Sequence, residues 1–284
     1  MKLLKPATQS KDVINSIEIN LRPEKDTLVP HSTGHLLYSA VLSSIEKSNP
    51  ELSEKIHGSD NSKISVTPLN GEFDRKDHNR KRVFQDTEYN FFINLIDTSG
   101  FQELFNDLVL SGEGLTVADA EFEITGMNTE EITWSELMEK KMPENLYFHF
   151  LSPVSINYRD SEVTEMFPHR EAIFQALLDS WNRNAPEDMH FELNTEKIKE
   201  SVVEKVKRNK YGDPEYQTHS KVITRKNKNQ IKAFGFTGKT EYSFVDAEDS
   251  LKKKLAILTR YAKHAGLGSH TARGLGNTYT EVRY

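Results

Sequence analysis

The chain has 284 residues, about twice the ~150-residue unit that serves as a prior for one domain, so two modest domains or one large one are expected. With 36% hydrophobic and 28% charged residues, no apolar run of about 18 residues and only a short apolar stretch in the leading "MKLLKPATQSKDV", it reads as a soluble cytoplasmic protein with neither membrane span nor secretory signal. The absence of cysteine excludes disulfides, thiolate metal sites and cysteine nucleophiles, and a net charge of −6 makes the local placement of positive charge the test of any polyanionic partner.

Taken in chain order, "VINSIEINLRP" sets Ile17, Ile19 and Leu21 on one side at period two and predicts a strand ended by Pro23. "HLLYSAVLSSIEKSN" repeats Leu36, Leu37, Ala40, Val41, Ser44 and Ile45 at helical spacing, with Ser32 or Thr33 available as N-cap and Asn49-Pro50 as the stop. "KISVTPL" is a short strand. The basic run "RKDHNRKR" at 75–82 predicts a loop or hairpin, and "TEYNFFINLID" the strand after it. "SGFQELFNDLVLSGEG" places Phe101, Leu104, Phe105 and Leu108 on one helical face, and "LTVADAEFEITGM" follows as a strand. The order β-α-β-β-α-β is that of a ferredoxin-like unit.

The second half repeats the order without repeating the sequence. "NLYFHFLSPVSI" predicts a strand, and "HREAIFQALLDSWNRNAP" a helix burying Ile173, Phe174, Leu177, Leu178 and Trp181. "YQTHSKVITRK" and "IKAFGFTGKTEYSFVD" predict a lysine-rich hairpin. "SLKKKLAILTRYAKHAG" is a helix ending at Gly266, and "NTYTEVRY" a closing strand. The expected fold is α+β, with tandem ferredoxin-like domains over residues 1–143 and 144–284. Between Lys197 and Lys232 eleven basic residues face four acidic ones, a charge run that suits either a solvated face or a phosphate surface.

"GLGSHTARGLG" holds Gly266, Gly268, Gly274 and Gly276. It is no dinucleotide fingerprint, because Thr271 stands where the third glycine belongs and the order is helix, loop, strand. It is no Walker loop either, lacking Gly-Lys-Ser/Thr. One reading is a helix C-cap followed by a tight strand start. The other is an anion-binding nest whose N–H groups meet phosphates, aided by Ser269, His270, Thr271 and Arg273.

In this position, after a helix and before the last strand, the loop resembles the C-terminal glycine-rich loop of the CRISPR-associated repeat-processing endoribonucleases, the sixth Cas protein, of the RAMP superfamily. "VPHSTGHLLYSAVLSSIEKSNPELSEKIH", "KISVTPLNG", "LSPVSI", "FQALLDSWN" and "GFTGKTEY" are similar to further blocks of that family in the same order, so the resemblance covers nearly the whole chain. It implies tandem ferredoxin-like folds and metal-independent cleavage of CRISPR precursor RNA in each repeat. The partners implied are the precursor and the processed guide RNA, with other effector subunits and a second copy of the chain as further candidates. A non-catalytic RNA-binding subunit of the same superfamily is the alternative.

Cutting RNA without a metal requires a base for the 2′-OH, an acid for the 5′-oxygen and positive charge on the phosphate. His31, His35, Tyr38, His57 and Lys63 cluster in sequence around the first helix, and His35 and Tyr38, three apart, share one of its faces. The resemblance implies two arrangements. In one, the essential histidine lies on the first helix a turn after a glycine, a place held here by Tyr38, with His35 one turn earlier. In the other it follows the helix and matches His57, with Lys63 as its lysine and Leu42 where a tyrosine is expected. His35 with Tyr38 and His57 with Lys63 stand equal, with His31 in support. For binding, the implied groups are the glycine-loop N–H groups with Arg273, Arg225 and Lys221. Tyr216 and Tyr242 are read as packing residues. His149, His169, His190 and His219 lack metal-ligand spacing, so neither metal nor other cofactor is expected.

Overall fold

A computed structural model describes residues 13–51, 53–54, 63–75, 80–96, 106, 114–139, 141–157, 161, 163–224 and 230–284, with the backbone alone for residues 48, 219–224 and 230–233. The first half contains β1 (Val13–Pro23), β2 (Thr27–Pro30), α1 (Gly34–Ser48), β3 (Ile64–Val66), β4 (Asp74–Arg75), β5 (Arg80–Val83), β6 (Tyr89–Leu95), β7 (Leu115–Val117), β8 (Ala120–Thr133) and a single-turn helix α2 (Trp134–Leu137). The second contains β9 (Asn145–Val154), α3 (Arg170–Asn184), α4 (Thr195–Ser201), β10 (Val202–Val206), β11 (Tyr216–Thr224), β12 (Gln230–Phe244), α5 (Asp249–Ala265) and β13 (Thr278–Arg283).

Strand order runs β3-β6-β1-β8-β7 in one sheet and β10-β12-β9-β13 in the other, with β11 pairing farther along β12. Numbered within each half, both sheets read 2-3-1-4, the ferredoxin-like order, and all these pairings are antiparallel. Period-two burial explains the strands: Ile17, Ile19 and Leu21 of β1 are fully buried while Glu18, Asn20 and Arg22 between them are not. The predicted helix over 99–112 lies outside the described residues, apart from Asn106 in helical conformation.

One expectation is corrected. "LTVADAEFEITGM" is a hairpin and not one strand: Val117 pairs with Ala120 across Ala118-Asp119, with Ala118 left-handed at φ 59°. The turn spans two residues, so the alternation of buried and exposed positions passes through it unbroken. The basic run is a hairpin, as expected: its arms lie in β4 and β5, which pair antiparallel and join β2 in a small third sheet. Lys81 of that run is 7% exposed; its ammonium lies 3.5 Å from the Phe73 ring centroid and donates to the Leu69 carbonyl (3.3 Å), so this charge serves the core. On α1, Tyr38 is 7% exposed and belongs to the first core with Leu37, Val41 and Ile45.

One core lies under each sheet, but the halves share material. Ile14, Ile132, Trp134 and Leu137 belong to the second core. A capping box between Thr133 and Glu136 turns the end of β8 into α2 and drops Trp134 edge-on against Trp181, ring centroids 5.2 Å apart, and beside Tyr261. The Arg260 guanidinium then donates to the Leu137 carbonyl at 2.9 Å. Among the described residues no helix is long and apolar enough to cross a membrane.

His264, in the last turn of α5, lines the space between the two halves with Lys263 and Glu130. Burial, reinforced by the Lys263 ammonium, pushes its imidazole down to about 4. The unfolded chain, with an ordinary histidine near 6.5, binds a proton that the folded chain refuses. Stability is therefore full above about pH 6.5 and falls as pH drops toward about 4. This group alone should lower the unfolding free energy by about 2 kcal/mol between pH 7 and 5. Urea denaturation of wild type and His264→Gln at both pH values checks this, the variant losing less.

Candidate active site

The site begins with a meeting of backbones. Gly34 opens α1, and a Cβ built on it would lie 2.4 Å from the Gly274 Cα, so the start of the first helix and the glycine loop touch with no side chain between them. Gly274 itself has φ 77°, a left-handed conformation that is strained for other residues. Its neighbour Arg273 ends a 3-10 turn over Thr271–Arg273, which packs against both α1 and β3.

The loop is held on three sides by main-chain and hydroxyl bonds. Gly266 caps α5 with its N–H on the Ala262 carbonyl (3.0 Å). Leu267 N–H reaches the Gly276 carbonyl (2.9 Å), Gly276 N–H the Pro153 carbonyl (2.9 Å) and Ser269 N–H the Ser155 carbonyl (2.8 Å). Gly268 runs so close to β9's continuation that an added Cβ would lie 2.2 Å from the Ser155 oxygen. Thr271 Oγ donates to the Ile64 carbonyl (3.2 Å), tying the turn to the first strand after α1. Arg273, Gly274 and Leu275 amides close on carbonyls of His270 and Thr271 within the loop. The amides of Gly266, Leu267, Ser269, Arg273, Gly274, Leu275 and Gly276 are thus bound to protein carbonyls. Of the two sequence readings the helix cap is present; these amides are engaged within the protein and do not form an open anion nest, and the glycines permit close chain crossings.

Around the turn stand the first-half candidates. His31 follows directly on β2, whose Pro30 pairs with Arg80 of the basic hairpin. His35 lies in the first turn of α1, half-buried, and Tyr38 one turn on. Burial raises the Tyr38 phenol while the Arg273 guanidinium beside it pulls the other way, which places a cation from the second half next to the helix face of the first. Lys63 immediately precedes β3, its carbonyl bound by Ile96 N–H at 2.9 Å, one residue from the carbonyl that Thr271 holds. Thr33 is the N-cap by position only; its hydroxyl accepts from Leu69 N–H (2.8 Å), so it anchors the start of α1 to the segment after β3.

The turn thus meets α1 at Gly34, next to His35 in sequence, and the first residue of β3, next to Lys63, with Arg273 acting on Tyr38 and His31 three residues before Gly34. His57 and Arg225 lie outside the described residues, and Lys221 is described only as a backbone position of β11, paired with Ala233. Tyr242 is fully buried with its hydroxyl on the Pro168 carbonyl (2.8 Å), and the Tyr216 hydroxyl bonds Met166; both are packing residues. Gly34 was missed as a site residue, its signal being a glycine at the first position of a helix, where no turn requires one. Among the described residues no three His, Asp or Glu side chains group as metal ligands.

The comparisons with known proteins agree on one family. Residues 148–278 match the model of the family described as CRISPR-associated endoribonuclease Cas6. Of solved structures, the product complex of a Cas6 protein superposes with TM-score 0.69 at 19% identity, covering 95% of this chain and 100% of that one. A Thermus thermophilus Cas6 gives 0.67 at 18% identity, with 95% and 99% covered. The product of a Cas6-related gene from Pyrococcus furiosus gives 0.61 at 12% identity, with 94% and 98% covered. A search of curated proteins found no match.

Gly274→Ala tests the backbone contact. Gly212 has φ 89° with nothing within 4 Å of an added Cβ. Gly212→Ala should therefore cost only the left-handed strain, about 1–2 kcal/mol. Gly274→Ala adds the overlap with Gly34 and should lower the melting temperature by several degrees more; equal losses in thermal melts would remove the contact from the stability of the site.

Proposed function

We propose, from the match of residues 148–278 to the family described as CRISPR-associated endoribonuclease Cas6, that the chain cuts CRISPR repeat RNA in the precursor transcript to release guide RNAs, by metal-independent chemistry. The 2′-OH upstream of the cut loses its proton to a base and attacks the phosphorus. The P–O5′ bond breaks, an acid protonates the departing oxygen, and a 2′,3′-cyclic phosphate and a 5′-OH result.

The observation that supports the reading is the 3-10 turn packed on α1 and β3, with Arg273 acting electrostatically on Tyr38 of α1. In this assignment His35 takes the 2′-OH proton and Arg273 neutralises charge on the phosphate. Tyr38, held protonated by its raised pKa, serves as a donor and not as a base. Lys63 supplies a second cation beside the turn and is shared with the alternative in which His57 is the base. His31 supports either from the other side of Gly34. Ser269 and His270 of the loop would meet the strand, and Arg225 and Lys221 stay binding candidates on the resemblance alone. The units are 1–143 and 144–284, RNA is the partner, and the resemblance adds other effector subunits and a second copy as candidates.

Incubating the protein with its own repeat RNA in EDTA should give cleavage with a cyclic phosphate end. Binding without a cut would make the chain a non-catalytic RNA clamp, and dependence on added metal would overturn the chemistry. His35→Ala should lower the single-turnover rate by about 10²- to 10⁴-fold if His35 is the base. An unaffected His35→Ala with an inactive His57→Ala transfers that role to His57. Affinity should also fall with salt, with a log-log slope of roughly −0.7 for each phosphate contact to a single strand.

A further inference from the structure

The glycine loop has two sides, and only one faces α1. On the other, Gly268 and Ser269 are exposed along a cavity of about 290 Å³ whose far wall is α3, presenting Ser180 and Arg183. That volume sits at the small end of ligand pockets, about 300–1,000 Å³. The wall is built and not incidental: Ser180 Oγ lies 3.0 Å from the Tyr261 hydroxyl, so α3 is fixed to α5 directly under the cavity. The loop side is fixed equally, by Ser269 N–H on the Ser155 carbonyl. Asn157, exposed, lies at the rim. The cavity also holds one carboxylate, Asp179, which accepts from the Gln175 amide at 2.8 Å within α3. The Arg183 guanidinium and the Asn157 amide therefore flank the opening with the Ser180 hydroxyl, while Ser269 Oγ donates to the Ser155 carbonyl (3.2 Å) and is left as an acceptor.

We propose that this cavity is a second nucleotide subsite, taking the RNA unit that continues past the loop from the cut, with its phosphate on Arg183 and its sugar or base edge on Ser269 and Asn157. The proposal rests on the RNA-cleavage reading above and extends it to a residue outside the catalytic cluster. A strand lying along the loop would meet Arg273 on the α1 side and Arg183 on the α3 side, so the two guanidinium groups grip phosphates on either flank of one 3-10 turn. Arginine suits the place because its planar donors take a phosphate in paired bonds.

The test uses the full chain and its repeat RNA carrying a 2′-deoxy substitution at the cut, which blocks cleavage but leaves binding. Arg183→Gln should weaken binding roughly tenfold, as expected for loss of a charge-assisted contact, and reduce the salt slope by about 0.7. At subsaturating protein the single-turnover rate on cleavable RNA should fall in step with the affinity, and Arg183→Lys should recover part of both. Ala176→Leu, which fills the cavity without altering charge, should weaken binding in the same direction. If wild type binds and cuts and Arg183→Gln keeps wild-type affinity and salt slope, the subsite is wrong while the nuclease reading stands. If wild type neither binds nor cuts repeat RNA, both fall together.

Discussion

The site depends on the absence of two side chains. Gly34 and Gly274 come from opposite ends of the chain and meet at the distance of bare backbones. Any Cβ at either position would push the 3-10 turn away from α1, and with it Arg273 from the His35 and Tyr38 face. The hydroxyl of Thr271 on the Ile64 carbonyl is the second tie, and it fixes the turn along the strand direction as the glycine contact fixes it along the helix. Hydrogen-bond geometry and steric contact thus set the position of every charged group that follows. Both halves build the candidate site because both take part in this packing.

Most of the fold could be read from periodicity, since each sheet buries one face and each long helix one stripe. β1, β6, β9, α3 and α5 stand where the apolar spacing puts them. The failures share a cause: the missing signal was shorter than one period of the pattern. A two-residue turn leaves the alternation of "LTVADAEFEI" intact, and α2 has four residues, only its capping box being visible. The candidate site was legible as residue types and not as geometry. Histidines near a first helix and glycines before a last strand are visible in the sequence; that they touch is a long-range contact with no local signature. The buried Tyr38 and Lys81 show the converse, because a polar tip hides how much apolar stem a residue can sink into a core.

The charge distribution reconciles a net −6 with a polyanionic partner. Negative charge gathers on the open face of the first sheet, where Glu18 takes amide bonds from Asn90 (2.7 Å) and Asn128 (3.1 Å) and where Glu121, Glu123 and Glu130 of β8 stand exposed. That face repels phosphate. Arg273 and Lys63 lie elsewhere, at the edge where α1, β3 and the loop converge. An acidic surface beside a cationic edge restricts where an RNA strand can settle, which net charge alone would not reveal.

Trp134 carries one more consequence. It belongs in sequence to the first ferredoxin-like unit and in space to the second, wedged between Trp181 and Tyr261, with Ile14 and Ile132 beside it. A second half cut out at the sequence boundary would lack one of its two core tryptophans and keep an open apolar socket in its place. The two units are therefore not interchangeable modules: recombining one with a foreign partner would require transplanting the tail of β8 along with it, and any divergence of the chain must carry both halves through the same Trp134 socket.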